Sequence, residues 1–206
     1  MHKDIKPGVV VSLQHYSVIT NFKAHVLDAK EDYFTVRVPK DFSTKTFQTG
    51  DPVVFGFESG DEVFIRGGII FEMNTYEKTI SVKPDREPTD SESQNRLYER
   101  HPVSLYADVR TPSIRKKFLA IISDMSYYGM LFHVKEDLTV GEEVDIDIFL
   151  DRTIMSQRGT LVRKTSELNY FKYGVKIIHN DPVSYNHIKQ YIKSSQQEHV
   201  FMFRRD

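Results

Sequence analysis

The sequence predicts an all-β protein that ends in a single helix, with two strand-rich halves joined by a short linker. Three observations predict this. Short segments rich in Val, Ile, Phe and Thr recur along the 206 residues, broken by glycine, proline or charged pairs at the spacing of a small β-barrel or sandwich. Between the two runs lies "PDREPTDSESQ" (84–94), whose proline, serine and acidic residues are those of an interdomain linker. Only near the end does apolar spacing change from two to helical.

In the first half the expected strands are "GVVVSL" (8–13), "FKAHVLDA" (22–29), "DYFTVRVP" (32–39), "DPVVFGFES" (51–59), "EVFIRGGIIFEM" (62–73) and "TISVKP" (79–84). No helical period of useful length precedes residue 85. In the second half they are "PVSLYADVR" (102–110), "KFLAIISD" (117–124), "GMLFHV" (129–134), "EVDIDIFL" (143–150), "SQRGTLVRKT" (156–165) and "FKYGVKII" (171–178). Asp181-Pro182 then places a capping side chain before a proline suited to a first helical turn. Ile188, Tyr191 and Ile192 follow on one helical face, so the helix is expected over about 182–197. The terminal "FMFRRD" (201–206) is expected to be a frayed end, with a docking tail as the alternative. The resulting division is 1–84, a linker over 85–95, and 96–206.

The halves echo each other. "GDPVVFGF" (50–57) precedes "RGGIIF" (66–71), and "GEEVDIDIFL" (141–150) precedes "RGTLV" (158–162) at nearly equal spacing. Convergent hairpin chemistry is the simpler explanation; two barrels of related topology is the sharper one.

Composition excludes several functions. The hydrophobic fraction of 39% and charged fraction of 28% are those of an ordinary globular chain, and no apolar run approaches the ~20 residues of a membrane span. "MHKDIKPG" lacks the apolar core of a secretory signal, and with no cysteine there is no disulfide framework, thiolate metal site or cysteine nucleophile, which fits a reducing cytoplasm. A net charge of −1 argues against broad binding to a nucleic acid polymer, which needs a basic footprint. The eight histidines are scattered without H-E-x-x-H, so no metal is expected, and no G-x-S-x-G or P-loop occurs. Asp145 and Asp147 in "DIDIFLD" read as the wet face of a strand rather than a carboxylate pair. No enzymatic constellation is present.

Two motifs carry chemistry. In "NRLYERHPVSL" (95–105), Arg96 and Arg100 lie at the junction of linker and second half. Two neighbouring cations repel, so folding gives little reason for them, whereas a dianionic ligand does. In "AIISDMSYYGMLF" (120–132), an apolar strand runs through Asp124 and Ser126 to Gly129 and into another strand. Alone, that motif reads as a tight turn, with Asp and Ser bonding nearby backbone and glycine adopting positive φ.

Together, R-x-x-x-R in "RLYER" (96–100) and D-x-S-x-x-G in "DMSYYG" (124–129) resemble the two signatures of PilZ domains, the bacterial receptors for the second messenger cyclic di-GMP. The resemblance covers about 94–200 and includes "GEEVDIDIFL", "GTLVRK" (159–164), "YGVKI" (173–177) and the terminal helix. The first 85 residues are similar in length and strand pattern to the amino-terminal barrel of the flagellar-brake, or YcgR-like, group. The resemblance thus implies two small β-barrels and a cyclic di-GMP site formed by Arg96, Arg100, Asp124, Ser126 and Gly129. It implies no cofactor other than that ligand, a cytoplasmic location with recruitment to the flagellar basal body, and a motor or stator protein as partner. Asn95 departs from the pattern, since many members carry a further basic residue there.

The chemistry agrees. Arginine's planar fork bonds phosphate oxygens or guanine O6/N7 bidentately and stacks on bases. The Asp124 carboxylate can accept from the N1–H and N2–H edge that only a guanine-like base offers. Ser126 can bond ligand or backbone, and Gly129 leaves the pocket unblocked while the chain turns. Arg163 on a neighbouring strand reads as a solvated strand arginine, with a ligand contact as the alternative. The rival functions are a protein-interaction adaptor of the same fold that does not bind nucleotide, a regulator of polysaccharide output, and an RNA-binding pair of barrels.

Overall fold

Alternation in the sequence becomes an inside and an outside. In "FKAHVLDA", Phe22, Ala24 and Val26 are buried while His25 and Leu27 face solvent. The structure is a computed structural model describing residues 4–18, 20–40, 47–86, 98–112, 116–150, 153–167, 170–179 and 182–204. It divides into two compact units, one of residues 1–89 with 195–206, the other of residues 90–194. Most of the expected linker, together with Asn95, Arg96 and the capping residue Asp181, lies outside the described residues.

The first unit is a closed antiparallel barrel of β1 (Val10–His15), β2 (Phe22–Ala29), β3 (Phe34–Arg37), β4 (Pro52–Ser59), β5 (Glu62–Asn74) and β6 (Thr79–Pro84), in the order β1-β2-β3-β6-β5-β4. Its interior is aromatic. Phe34, Phe55 and Phe57 are buried, with Phe34 edge-on to Phe55 at 5.0 Å. Closure leaves no open sheet edge to template aggregation.

The second unit repeats that design with β7 (His101–Arg110), β8 (Phe118–Ser126), β9 (Gly129–Val134), β10 (Glu143–Leu150), β11 (Thr153–Ser166) and β12 (Phe171–Ile178), in the order β10-β11-β12-β9-β8-β7. Tyr173 lies fully buried in its core, and its hydroxyl accepts from the Leu138 amide at 2.7 Å and donates to the Leu138 carbonyl at 3.0 Å. A buried phenol is tolerated because both of its hydrogen-bonding roles are filled.

The two barrels share one topology. The pairs β1–β2, β2–β3, β3–β6, β6–β5, β5–β4 and β4–β1 recur as β7–β8, β8–β9, β9–β12, β12–β11, β11–β10 and β10–β7. Registers coincide as well. Leu13 faces Phe22 as Val109 faces Phe118, and Ile70 faces Val82 ahead of a bulge as Leu161 faces Val175 ahead of one. The sequence echo falls on this device. Gly50 and Gly141 have φ of 95° and 93°, and their amides donate to the carbonyls of Ile70 and Leu161 at 2.8 and 2.7 Å. Those residues donate back to Asp51 and Glu142 at 2.8 and 3.0 Å. Glycine takes such a φ without the Cβ penalty, so the echo reflects one repeated backbone requirement rather than coincidental hairpin chemistry.

The helix α1 (Pro182–Arg204) begins with proline in its first turn and outlasts the expectation of about 197. Its buried stripe runs Ile188, Ile192, Ser195 and His199, and the residues from Ser195 onward belong to the first unit. The stripe turns polar there, which is why apolar spacing lost it. His199 Nδ1 lies 2.7 Å from Ser12 Oγ, and a Cβ on Gly56 would come within 3.2 Å of that ring nitrogen. The tail expected to fray is helical to Arg204.

Candidate functional site

Arg100 immediately precedes β7, Asp124 and Ser126 close β8, and Gly129 opens β9. All four line one pocket of about 130 Å³, completed by Met130, Val162, Arg163, Gly174 and Val175 from β9, β11 and β12. Small-molecule sites are commonly ~300–1,000 Å³, so this pocket suits one part of a dinucleotide, a base edge or a phosphate, with the remainder lying outside it.

Each side chain is placed by local strand chemistry. A register shift in β8 between Ile122 and Asp124 re-aims the chain just before the aspartate. Ser126 pairs with Gly129 across the Tyr127–Tyr128 turn, and its hydroxyl donates to the Gly129 carbonyl at 3.2 Å. The serine is therefore committed to backbone in this state. Gly129 does not have the positive φ that a turn glycine suggested. It is needed for space, because a Cβ there would lie 2.9 Å from the Val175 carbonyl oxygen.

Charge at the pocket is lopsided. Arg100 Nη1 donates to Asp124 Oδ2 at 3.4 Å, with the two side chains 38% and 24% exposed. So long and wet an ion pair contributes little to stability, and a competing anion can displace it cheaply. Arg163, exposed at the rim, forms no ion pair among the described residues. Two arginines and one aspartate thus line the pocket.

The motif's intervening positions supply aromatic rings that sequence reasoning passed over. Tyr98, inside R-x-x-x-R, packs against Tyr128, inside D-x-S-x-x-G, at 4.3 Å between ring centroids. Tyr128 meets His179 edge-on at 5.1 Å, and Tyr127 meets Tyr185 at the same distance. Burial first, then Tyr128, pushes the Tyr98 phenol above the usual tyrosine range. Tyrosines in both variable stretches were the available signal. Of the five residues expected in the site, Arg100, Asp124, Ser126 and Gly129 come together; Arg96 lies outside the described residues.

Residues 94–194 match the model of the PilZ domain family. The chain carries a PilZ domain. Comparison with curated proteins gives no match. Similar solved structures include the Bacillus subtilis inhibitor of motility MotI/DgrA, at 16% identity over 94% of this chain and 98% of that one, with a TM-score of 0.44. Another is Escherichia coli YcgR in complex with c-di-GMP, at 9% identity, 93% and 85% coverage and a TM-score of 0.44. A third is the K. pneumonia MrkH–c-di-GMP complex, at 10% identity, 96% and 90% coverage and a TM-score of 0.43.

The outer face of the PilZ barrel also carries the two aspartates of "DIDIFLD". Asp145 accepts from Arg158 at 3.0 Å, and Asp147 from Arg110 at 2.9 Å, with the Lys117 ammonium 3.6 Å away. These are surface charge pairs. Among the described residues no group of His, Asp or Glu could hold a metal, and no helix is long and apolar enough to cross a membrane. Outside the PilZ domain, Ser17, His15 and Asp51 superficially resemble a hydrolytic triad, with His15 2.6 Å from Ser17 Oγ and 3.1 Å from Asp51 Oδ2. The Ser17 amide also donates to His15 Nδ1 at 3.2 Å, and Asp51 accepts from the Gln48 amide at 2.6 Å. The ring is packed against Tyr16 at 4.0 Å and Phe47 at 4.7 Å. That arrangement ties the Ser17 turn to the loop that carries Asp51.

Proposed function

We propose that the chain is a non-enzymatic cyclic di-GMP receptor whose ligand is held by Arg96, Arg100, Asp124, Ser126 and Gly129. The observation that carries this reading is the pocket in which Arg100 and Asp124 meet over Ser126 and Gly129. A guanidinium for phosphate or a guanine Hoogsteen edge, beside a carboxylate for the N1–H and N2–H edge, suits a guanine nucleotide. On binding, the Arg100–Asp124 pair exchanges partners, so each group is released to the ligand at little cost.

The output we propose is mechanical. Arg96 and Arg100 adjoin the linker expected over 85–95, while Asp124, Ser126 and Gly129 belong to the barrel body. A ligand gripped by both sets draws the linker end onto the barrel and changes how the two barrels are disposed. It can do so only through its differential affinity for the two arrangements. The YcgR-like strand pattern of the first 85 residues points to braking of flagellar motility, through a motor or stator protein, from a cytoplasmic position at the basal body.

Calorimetric titration of the full chain with cyclic di-GMP, with GTP and single-stranded RNA as controls, tests the reading. Arg100→Ala and Arg96→Ala should each weaken binding by about 2 kcal/mol or more, over tenfold. Hydrogen exchange should show residues 85–100 protected by ligand in the native chain and not in Arg96→Ala. Unchanged affinity in both variants removes the site assignment. Equal protection with and without ligand removes the hinge.

A further inference from the structure

We propose that Arg163 is a phosphate-binding side chain of the pocket and that Gly174 exists to seat it. This rests on the cyclic di-GMP reading above. The first barrel serves as an internal control, because the same strand register carries different residues there.

In both barrels a bulge on the fifth strand sets one side chain opposite a residue of the sixth. Past the bulge, Glu72 faces Ser81 in the first barrel and Arg163 faces Gly174 in the second. Continuing across the sheet, Ser81 faces Thr35 and then Asp28, as Gly174 faces Leu131 and then Asp124. The bulge is therefore part of barrel architecture and says nothing about function. What differs is what the row carries. In the first barrel it holds two carboxylates, Asp28 and Glu72, with Ser81 Oγ bonded to Thr35 Oγ1 at 2.9 Å. Asp28 pairs with Lys30 at 3.0 Å, and the position of Arg163 is taken by a carboxylate, Glu72. In the second it holds Asp124 and Arg163, with Arg100 alongside.

Because Ser81 fills the equivalent position, the barrel does not require a glycine there. Gly174 must answer to something local. A Cβ at Gly174 would stand 2.7 Å from Arg163 Cγ and 2.8 Å from its Nε. The arginine stem thus occupies the space a side chain would take and lies flat along β12. Glycine in a strand interior weakens the strand, so the exchange does not serve folding. Its consequence is to hold the guanidinium at the pocket rim. The group forms no ion pair among the described residues, unlike the outer arginines Arg110 and Arg158, which do. Asp124, less exposed than Arg100, takes a base edge inside, and the side of the pocket that Arg100 and Arg163 line takes a phosphate.

The test is calorimetry with cyclic di-GMP on the full chain, with thermal melts to confirm folding. Arg163→Met keeps the apolar stem and removes the charge; it should bind about tenfold or more weakly. Gly174→Ser installs the first barrel's solution and should weaken binding comparably with Arg163 still present, by displacing the stem. Because a phosphate contact is ionic, the native affinity should fall more steeply with salt than that of Arg163→Met. Native-like affinity in Arg163→Met, or a loss with unaltered salt dependence, overturns the assignment. If the native chain itself fails to bind, the receptor reading falls and this inference with it. Binding by the native chain alongside unaffected variants removes this inference alone.

Discussion

His199 should make the docking of the helix end on the first barrel fail as pH falls. Its ring is buried, Nδ1 is engaged by Ser12 Oγ, and Nε2 has no hydrogen-bond partner. Burial alone holds its pKa down, to about 4 from an ordinary 6.5. Ser12 on β1 and Gly56 on β4, which meet the ring, do not titrate. A depressed histidine pKa means that the folded state prefers the neutral ring. Its contribution is intact above pH 6.5 and is lost as pH falls toward 4, where the unfolded chain binds the proton and the folded one resists it. Between pH 7 and 4.5 a shift of this size corresponds to a loss of about 2–3 kcal/mol. Urea unfolding of the native chain and of His199→Gln, followed by circular dichroism at both pH values, isolates the term. The native chain should lose that much more stability than the variant. Equal losses in the two proteins would refute the reasoning, because the cost of charging this ring would then be relieved by water or by local opening of the helix end.

Two further outcomes follow from the site. Asp124→Ala should lower affinity for cyclic di-GMP more than for cyclic di-AMP, since adenine has no N1–H or N2–H donors to lose; equal losses in parallel titrations would reduce Asp124 to shaping the turn. Gly129→Ala should destabilise the PilZ domain by about 1–3 kcal/mol in thermal or urea melts, because the new Cβ meets the fixed Val175 carbonyl rather than a side chain that can rotate away. A neutral result would mean that β9 and β12 can separate there freely.

Strand existence was legible along the whole chain because period-two alternation is a local property written in consecutive residues, as in "EVDIDIFL". The terminal helix was legible only as far as its apolar stripe. Ser195 and His199 continue that stripe with polar side chains, whose burial depends on Ser12, Gln14 and Gly56 far away in sequence. The two signatures were also local, so Arg100, Asp124, Ser126 and Gly129 could be named together through the resemblance they carry. The pocket's far wall could not. Arg163 looks like any strand arginine until the bulge after Leu161 and the missing Cβ of Gly174 are set beside it.

By itself the sequence determined which segments extend, where the terminal helix begins and which side chains carry donors and acceptors suited to a nucleotide. Those follow from each residue's own backbone preferences and donor set. Only the tertiary structure decided that the halves are topological copies, that Gly129 is a matter of clearance from Val175, and that the same register carries Glu72 in one barrel and Arg163 in the other. Each of these depends on strands brought side by side from distant stretches of chain, and contact across a sheet leaves no mark on the spacing of residues along it.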